Sequence, residues 1–182
     1  MKVIAIGGEP GAGKSTLMKR FIEEIKAVPM YNEYKLVPYL QYFDIFILGK
    51  YEEGEVFSGT DRMSMAVQPE AVKFLASLPE NAIVLFEGDR LFNNSFLEHC
   101  NENYDTKIIY LKTTKDVRTE RYKDRGSNQN ETWLRGRESK INNILTNMTL
   151  MFITETFENN TLDQQNEVYE RIIDYVHKPI LE

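Results

Sequence analysis

The chain has 182 residues, a mass of 21.3 kDa, 42% hydrophobic and 27% charged residues, and a net charge of −6. These values suit a folded chain with one core, and they exclude a mostly disordered polypeptide and a uniformly basic nucleic-acid coat protein. No run approaches the roughly 20 apolar residues of a membrane helix. The apolar stretch before Gly7 is too short for a signal peptide, and the single Cys100 excludes an internal disulfide or a cysteine metal cluster. A cytoplasmic protein without membrane contact is the expectation.

In chain order, Lys2 to Ile6 reads as a short buried strand that runs into glycines. Leu17, Met18, Phe21, Ile22 and Ile25 recur at helical spacing and predict a helix over Ser15 to Ala27, which Pro29 closes. Tyr34 to Leu48 is aromatic and β-branched and reads as one or two strands. Tyr31, Tyr34, Tyr39, Tyr42 and Phe43 are expected as core or strand surface, with base stacking as the alternative. Asp44, in the same apolar run, is either an edge residue or an active-site carboxylate. Gly49 to Thr60 mixes glycines with glutamates and reads as a loop. Ser64 to Leu78 is a predicted helix with Pro69 near its start. Ala82 to Phe86 is a second buried strand, Leu91 to Asn101 a short helix and Lys107 to Leu111 a third core strand. Thr114 to Arg125 is helical, Gly126 to Glu131 a polar loop and Trp133 to Asn147 helical again. Leu150 to Phe157 favours a strand. Thr161 and Gln164 then stand at capping-box spacing before a last helix, Leu162 to His177. This alternation predicts an α/β three-layer sandwich, in which right-handed crossovers put helices on both faces of a mainly parallel, five-stranded sheet.

Charge is segregated along the chain. Lys107 to Lys140 holds ten basic and five acidic residues, a net of +5 that leaves −11 elsewhere. A basic segment in an acidic protein suggests a local anionic ligand, the alternative being a solvated helix face with i,i+4 ion pairs.

Gly8-Glu9-Pro10-Gly11-Ala12-Gly13-Lys14-Ser15 fits G-x-x-x-x-G-K-[ST], with a buried strand before it and an amphipathic helix after it. Such a loop wraps its backbone N–H groups around a phosphate, and the helix adds the partial positive charge of its N-terminus. Lys14 would reach the β- and γ-phosphates, and Ser15 would ligate Mg²⁺. Gly8, Gly11, Ala12, Gly13, Lys14, Ser15 and Thr16 are therefore the expected ATP contacts.

Residues 3 to 16 resemble the Walker A region of the P-loop NTPases, and three further features resemble their nucleoside and nucleotide kinase branch. Ile83-Val84-Leu85-Phe86-Glu87-Gly88 is an apolar strand ending in Glu-Gly, as in uridine-kinase-like members. Arg121-x-x-x-Arg125 ends a helix before a polar loop, where these kinases open a lid that closes over the phosphates. Asn159-Asn160-Thr161 is similar to the turn that follows the last strand near the adenine, which implies Asn160 as an ATP contact. Two features depart from the pattern. The second strand ends in Glu87 rather than Asp, and residues 28 to 61 match no standard monophosphate-binding domain.

The resemblance implies one domain, 1–182, with a P-loop kinase-like fold, an acceptor-binding insert at about 28–62 and a mobile helical lid at about 121–137. Glu87, at the carboxyl edge of the sheet, would hold Mg²⁺ through water. Asp61, in GTDRMS, is a candidate general base, and Asp89 is its rival. Arg62 and Arg90 stand beside these carboxylates and would suit an anionic acceptor. Arg125, Arg121, Arg135 and Arg137 flank the lid loop, and at least one of them would act on the transferring phosphoryl group. The expected activity is ATP- and Mg²⁺-dependent transfer of a γ-phosphate to a nucleoside-like or nucleotide acceptor. GTDRMS, LFEGDR and RGSNQNETWLRGR also resemble phage-encoded P-loop kinases that act on a hydroxymethylated pyrimidine in DNA, so the acceptor is a small molecule or DNA. A non-catalytic nucleotide-binding module is the rival from another class. A GTPase is excluded by the lack of Asn-Lys-x-Asp, and a protein kinase by the lack of His-Arg-Asp.

Overall fold

The structure, a computed structural model, describes residues 1–30, 34–55, 57–124 and 131–178. Among these, seven strands form one sheet: β1 (Lys2–Gly8), β2 (Val28–Met30), β3 (Tyr39–Tyr42), β4 (Ile45–Leu48), β5 (Ile83–Glu87), β6 (Asp105–Lys112) and β7 (Thr154–Glu158). Their order across the sheet is β2-β3-β4-β5-β1-β6-β7. β4, β5, β1, β6 and β7 run parallel, whereas β2 and β3 are antiparallel additions at one edge.

The expectation of five strands is corrected to seven. The Tyr34 to Leu48 run splits at a tight turn, where Phe43 adopts φ +49° and its carbonyl accepts the Gln41 side-chain amide at 2.7 Å. β2 escaped detection because it is three residues long, exposed throughout and centred on Pro29. An edge position tolerates that proline, since its missing donor takes nothing from an inner ladder. Asp44 sits in the same turn at the amino edge of the sheet, where its carbonyl accepts the Ile83 N–H at 2.8 Å. It is an edge residue, at the opposite end of the strands from the phosphate loop.

The helices are α1 (Lys14–Ile25), α2 (Val67–Ser77), α3 (Asn94–Asn103), α4 (Lys115–Asp124), α5 (Glu131–Leu145) and α6 (Leu162–His177). α3 starts at Asn94 rather than Leu91 because Asn93 caps it, its side-chain oxygen accepting the Phe96 N–H at 3.0 Å. The capping box of Thr161 and Gln164 is formed at the start of α6. β7 begins only at Thr154, after a 3-10 turn over Met151–Ile153.

The alternating side chains of the strands build two cores, one on each face. On one, Val3, Ala5, Val84 and Phe86 meet Ala71 and Phe74 of α2, Phe96 of α3 and Ile144 of α5. On the other, Ile4, Ile6, Leu85 and Ile109 meet Leu17, Met18 and Phe21 of α1 and Val168 and Ile172 of α6. Each fully buried large side chain contributes on the order of 1.5–3 kcal/mol, so the two layers fix the strands against both helix sets. Buried Lys2 closes the far end, its ammonium donating to the Tyr175 carbonyl of the last turn of α6 at 2.8 Å. No helix among the described residues is long and apolar enough to cross a membrane.

Parallel pairing has one consequence for function. The carboxyl ends of β4, β5, β1, β6 and β7 lie along a single edge, where open α/β sheets bind ligands.

Candidate active site

The loop Glu9–Gly13 leaves β1 at this edge and enters α1. Its outer side is held by α4, whose residues Arg118, Arg121 and Tyr122 share one helical face. Arg118 forms an ion pair with Glu9, and the Tyr122 hydroxyl donates to the Pro10 carbonyl at 2.5 Å. Arg121 donates to the Gly11 and Asn159 carbonyls, both at 3.0 Å. Asn159, with no exposed surface, donates its amide to the Ala12 carbonyl at 2.6 Å. Three successive carbonyls are thus anchored outward. In a trans peptide the following N–H points the other way, so the N–H groups of Gly11 and Gly13 face the inner side of the loop. The Lys14 ammonium lies on the Gly8 and Glu9 carbonyls at 2.8 and 3.1 Å.

Ser15, in the first turn of α1, donates to Glu87 Oε1 at 3.0 Å. Glu87 ends β5 and is 1% exposed, a burial that a carboxylate tolerates only with partners. The chain returns to this point through one 3-10 turn, Thr60–Arg62. Gly59 pairs with Lys50 in an isolated antiparallel bridge. A Cβ on Gly59 would stand 2.4 Å from Glu87 Oε1, and one on Gly49 would stand 2.4 Å from the Gly59 backbone. Only glycines let these three chain segments close on the carboxylate.

Asp61 Oδ1 then accepts the Asp89 N–H at 2.7 Å. The Asp89 carboxylate pairs with Arg137 of α5, and its carbonyl accepts the Lys140 ammonium at 2.7 Å. Arg90 donates to the Met63 carbonyl at 3.3 Å. Arg137 and Lys140 both have their pKa lowered from the ordinary value, first by burial. The Arg137 charge lowers Lys140 further and Arg90 does so more weakly, while Asp61 opposes the shift in both. Two carboxylates and three cations therefore share one cleft beside the phosphate loop.

Of the residues singled out from sequence, Lys14, Ser15, Glu87, Asp61, Asp89, Arg90, Arg121 and Arg137 converge on this edge. Gly8, Gly11, Ala12 and Gly13 line the loop, and Thr16 is exposed on the first turn of α1. Three others have different surroundings. Arg62 is engaged by Glu52 at 2.5 Å and Glu55 at 3.7 Å. Arg135 is exposed on α5, two residues from Arg137 and so on a different helical face. Asn160 ties two loops together, accepting the Thr114 N–H at 2.8 Å and donating to Glu158 at 3.2 Å. Arg125, Tyr31 and the loop at 126–130 lie outside the described residues, so the expected mobility of the lid has no counterpart among them.

Sequence reasoning missed Asn159, Lys140, Arg118 and Tyr122. Lys140 stands three residues after Arg137, and Arg118 three before Arg121. That helical spacing was the available signal.

Ser15 and Glu87 are hard oxygen donors set side by side, which fits Mg²⁺, a cation bound through few protein oxygens together with substrate phosphates. No cluster of three or more His, Cys, Asp or Glu that could hold a metal occurs among the described residues.

A parallel sheet with this glycine-lysine loop between its first strand and first helix defines a P-loop α/β protein. The family model described as P-loop Nucleotide Kinase3 matches residues 1–162, and the chain belongs to that family. No curated protein matches it. Among solved structures, shikimate kinase from Bacteroides thetaiotaomicron is similar at 15% identity, covering 98% of this chain and 99% of that one, with a TM-score of 0.49. Deoxyadenosine kinase from M. mycoides is similar at 15% identity, covering 96% and 100%, with a TM-score of 0.48. A gluconokinase from Sinorhizobium meliloti is similar at 13% identity, covering 97% and 98%, with a TM-score of 0.46. Likenesses this distant carry no information about the acceptor.

Proposed function

We propose that the protein is an ATP- and Mg²⁺-dependent kinase that phosphorylates a nucleoside-like or nucleotide acceptor. The observation that supports this most is the pairing of two half-sites on one edge. Lys14, Ser15 and Glu87 suit the phosphates of a nucleotide donor, and Asp61 lies next to them inside a ring of cations. A module that only bound nucleotide would need the first half and not the second.

In the reaction, the acceptor hydroxyl oxygen forms a bond to the γ-phosphorus while the bond from that phosphorus to the β–γ bridging oxygen breaks. The acceptor proton passes to Asp61, and ADP leaves. Asp61 is the better-placed base because the Asp89 carboxylate is engaged by Arg137. Bound Mg²⁺ would neutralise charge on the β- and γ-phosphates beside Ser15 and Glu87. Lys14 stabilises the charge that develops on the transferring group, Arg121 holds the phosphate loop from its outer side, and Arg90, Arg137 and Lys140 hold the anionic part of the acceptor.

The test is a labelled-ATP screen against nucleosides, nucleoside monophosphates and hydroxymethyl-containing DNA, read by thin-layer chromatography. Label transfer to one of these acceptors is expected. ATP that binds but labels none of them overturns the kinase reading in favour of the binding module.

A further inference from the structure

The two outer strands of the sheet differ in how they end it. On one side β2 is three residues long and centred on Pro29, a short edge whose proline discourages further pairing. On the other side β7 has five residues, with no proline, glycine or lysine, and no strand among the described residues pairs with its outer side. Its carboxylates do not guard it either. Arg171 and Tyr175 hold Glu155, and Lys112 offsets Glu158 at 3.1 Å. An edge of this kind is a template for another strand.

The outward-facing groups of β7 follow from its ladder with β6. The Asn159 N–H donates to the Lys112 carbonyl at 2.8 Å, which continues that ladder. Backbone groups alternate between the two sides of a strand, so Glu155 and Phe157 address β6 as well. Thr154, Thr156 and Glu158 are left to present their N–H and carbonyl groups outward. These positions are symmetric about Thr156. An antiparallel copy of β7, related by a two-fold axis at Thr156, sets Thr156 against itself and Thr154 against Glu158. Each such pair exchanges two hydrogen bonds, and every outward group is then used. Glu155 stands opposite Phe157, so no like charges face each other directly.

The apolar surface follows the same symmetry. Phe152, 79% exposed, stands four residues before Thr156 and beside exposed Met151. Leu162, 71% exposed, opens α6 just beyond the carboxyl end of β7. Antiparallel pairing brings Phe152 of one copy to the end of the strand at which the partner's Leu162 is exposed, and the reverse. Phe and Met are enriched at protein interfaces, and a two-fold contact needs a surface that complements itself.

We propose that a second copy of this chain docks on β7 by antiparallel two-fold pairing centred on Thr156, with Phe152 and Leu162 as its apolar contacts. The occupant is a second copy rather than an unrelated strand because the outward backbone groups, the charges and the exposed apolar side chains all match their own two-fold image. The kinase reading is not needed for this. The carboxyl ends of the strands point opposite ways in the two copies, so each phosphate loop stays with its own chain.

The experiment is sedimentation velocity of the full chain from low to high micromolar concentration. At the upper end the wild type should sediment at twice the 21.3 kDa chain mass. Thr156→Lys sets two ammonium groups against each other at the axis. It should leave a monomer with an unchanged melting temperature, since Thr156 is exposed. Phe152→Ser should raise the dissociation constant of the dimer roughly tenfold, as loss of an interface anchor does. Thr156→Cys should give a disulfide-linked dimer with oxidised glutathione, because residues opposite in a hydrogen-bonded pair stand about 5.5 Å apart at Cα. Cys100 is buried and does not compete. A wild type that stays monomeric throughout overturns the proposal. So does a dimer that Thr156→Lys and Phe152→Ser leave intact, or one whose Thr156→Cys form does not cross-link.

Discussion

Asp61 and Asp89 are joined by a hydrogen bond from the backbone N–H of one to the carboxylate of the other, 2.7 Å long and spanning 28 residues of sequence. The bond gives the two acids different work. Asp89 turns its carboxylate to Arg137 and its carbonyl to Lys140, and so organises the cations. On the proposed kinase reading, Asp61 is then the proton acceptor. Asp61→Asn should therefore lower kcat by about 10²–10⁴, with the KM for ATP unchanged, as loss of a general base does. Asp89→Asn should act mainly on the acceptor KM. Steady-state kinetics with each substrate varied will separate them, and the reverse pattern would exchange the roles.

Lys14→Ala should abolish transfer and leave the unfolding midpoint within a few degrees of the wild type, because its bonds to the Gly8 and Glu9 carbonyls lie at the carboxyl end of β1 and outside both apolar cores. Glu87→Gln should shift the magnesium dependence of the rate more than the affinity for ATP. A magnesium titration identical to that of the wild type would remove Glu87 from the metal site.

Lys140 provides a pH test. Its ammonium is lowered from the ordinary lysine range by burial and then by Arg137. A cation is present below its pKa and lost above it. Affinity for an anionic acceptor should thus fall with rising pH, on a limb below the ordinary lysine value of about 10.4. Between the folded and unfolded values the unfolded chain binds more protons, so stability rises with pH across that same window. Lys140→Arg keeps the charge throughout and should erase the limb from a plot of acceptor KM against pH.

Asn159 and Asn160 make a matched pair of variants. Asn159→Ala removes the bond to the Ala12 carbonyl, leaving a buried acceptor unpaired at a cost of about 1–3 kcal/mol, and should weaken ATP binding as the loop loosens. Asn160→Ala should leave ATP binding intact. Chemical denaturation and ATP titration of both proteins will check the ranking.

At the other edge of the sheet, Arg171 bonds Glu155 of β7 with two 2.8 Å contacts, and Tyr175 donates to the same carboxylate. The Arg171 bonds, chiefly, hold the Glu155 carboxyl below its usual range. The stabilisation is complete above the unfolded-state value near 4.3 and is lost as pH falls through the folded one. Glu155→Gln should flatten the acid limb of a plot of melting temperature against pH, and a limb of unchanged slope would count against the pair.

The phosphate loop, the buried strands and α6 were legible because each rests on local chemistry: a fixed motif, a continuous apolar run, a capping box. α2 was legible as a helix, although it starts at Val67, three residues after the predicted Ser64. β2 was not, because an exposed strand of three residues around a proline has no periodicity to read. Within the site, the residues next to glycines or at strand ends were found. Asn159 was overlooked in favour of its neighbour, since which of two adjacent asparagines turns inward depends on where α4 and the phosphate loop dock.

The contact among Gly49, Gly59 and Glu87 is made almost wholly of backbone. Side-chain identity between Gly49 and Gly59 therefore contributes little to where Glu87 and the phosphate loop stand, whereas β4 before it is fixed by its pairing with β5 and its side chains in both cores. On the proposed kinase reading, exchange of that loop alone, with its two glycines kept, is a route by which one catalytic frame could be turned to new acceptors without rebuilding its metal and phosphate chemistry.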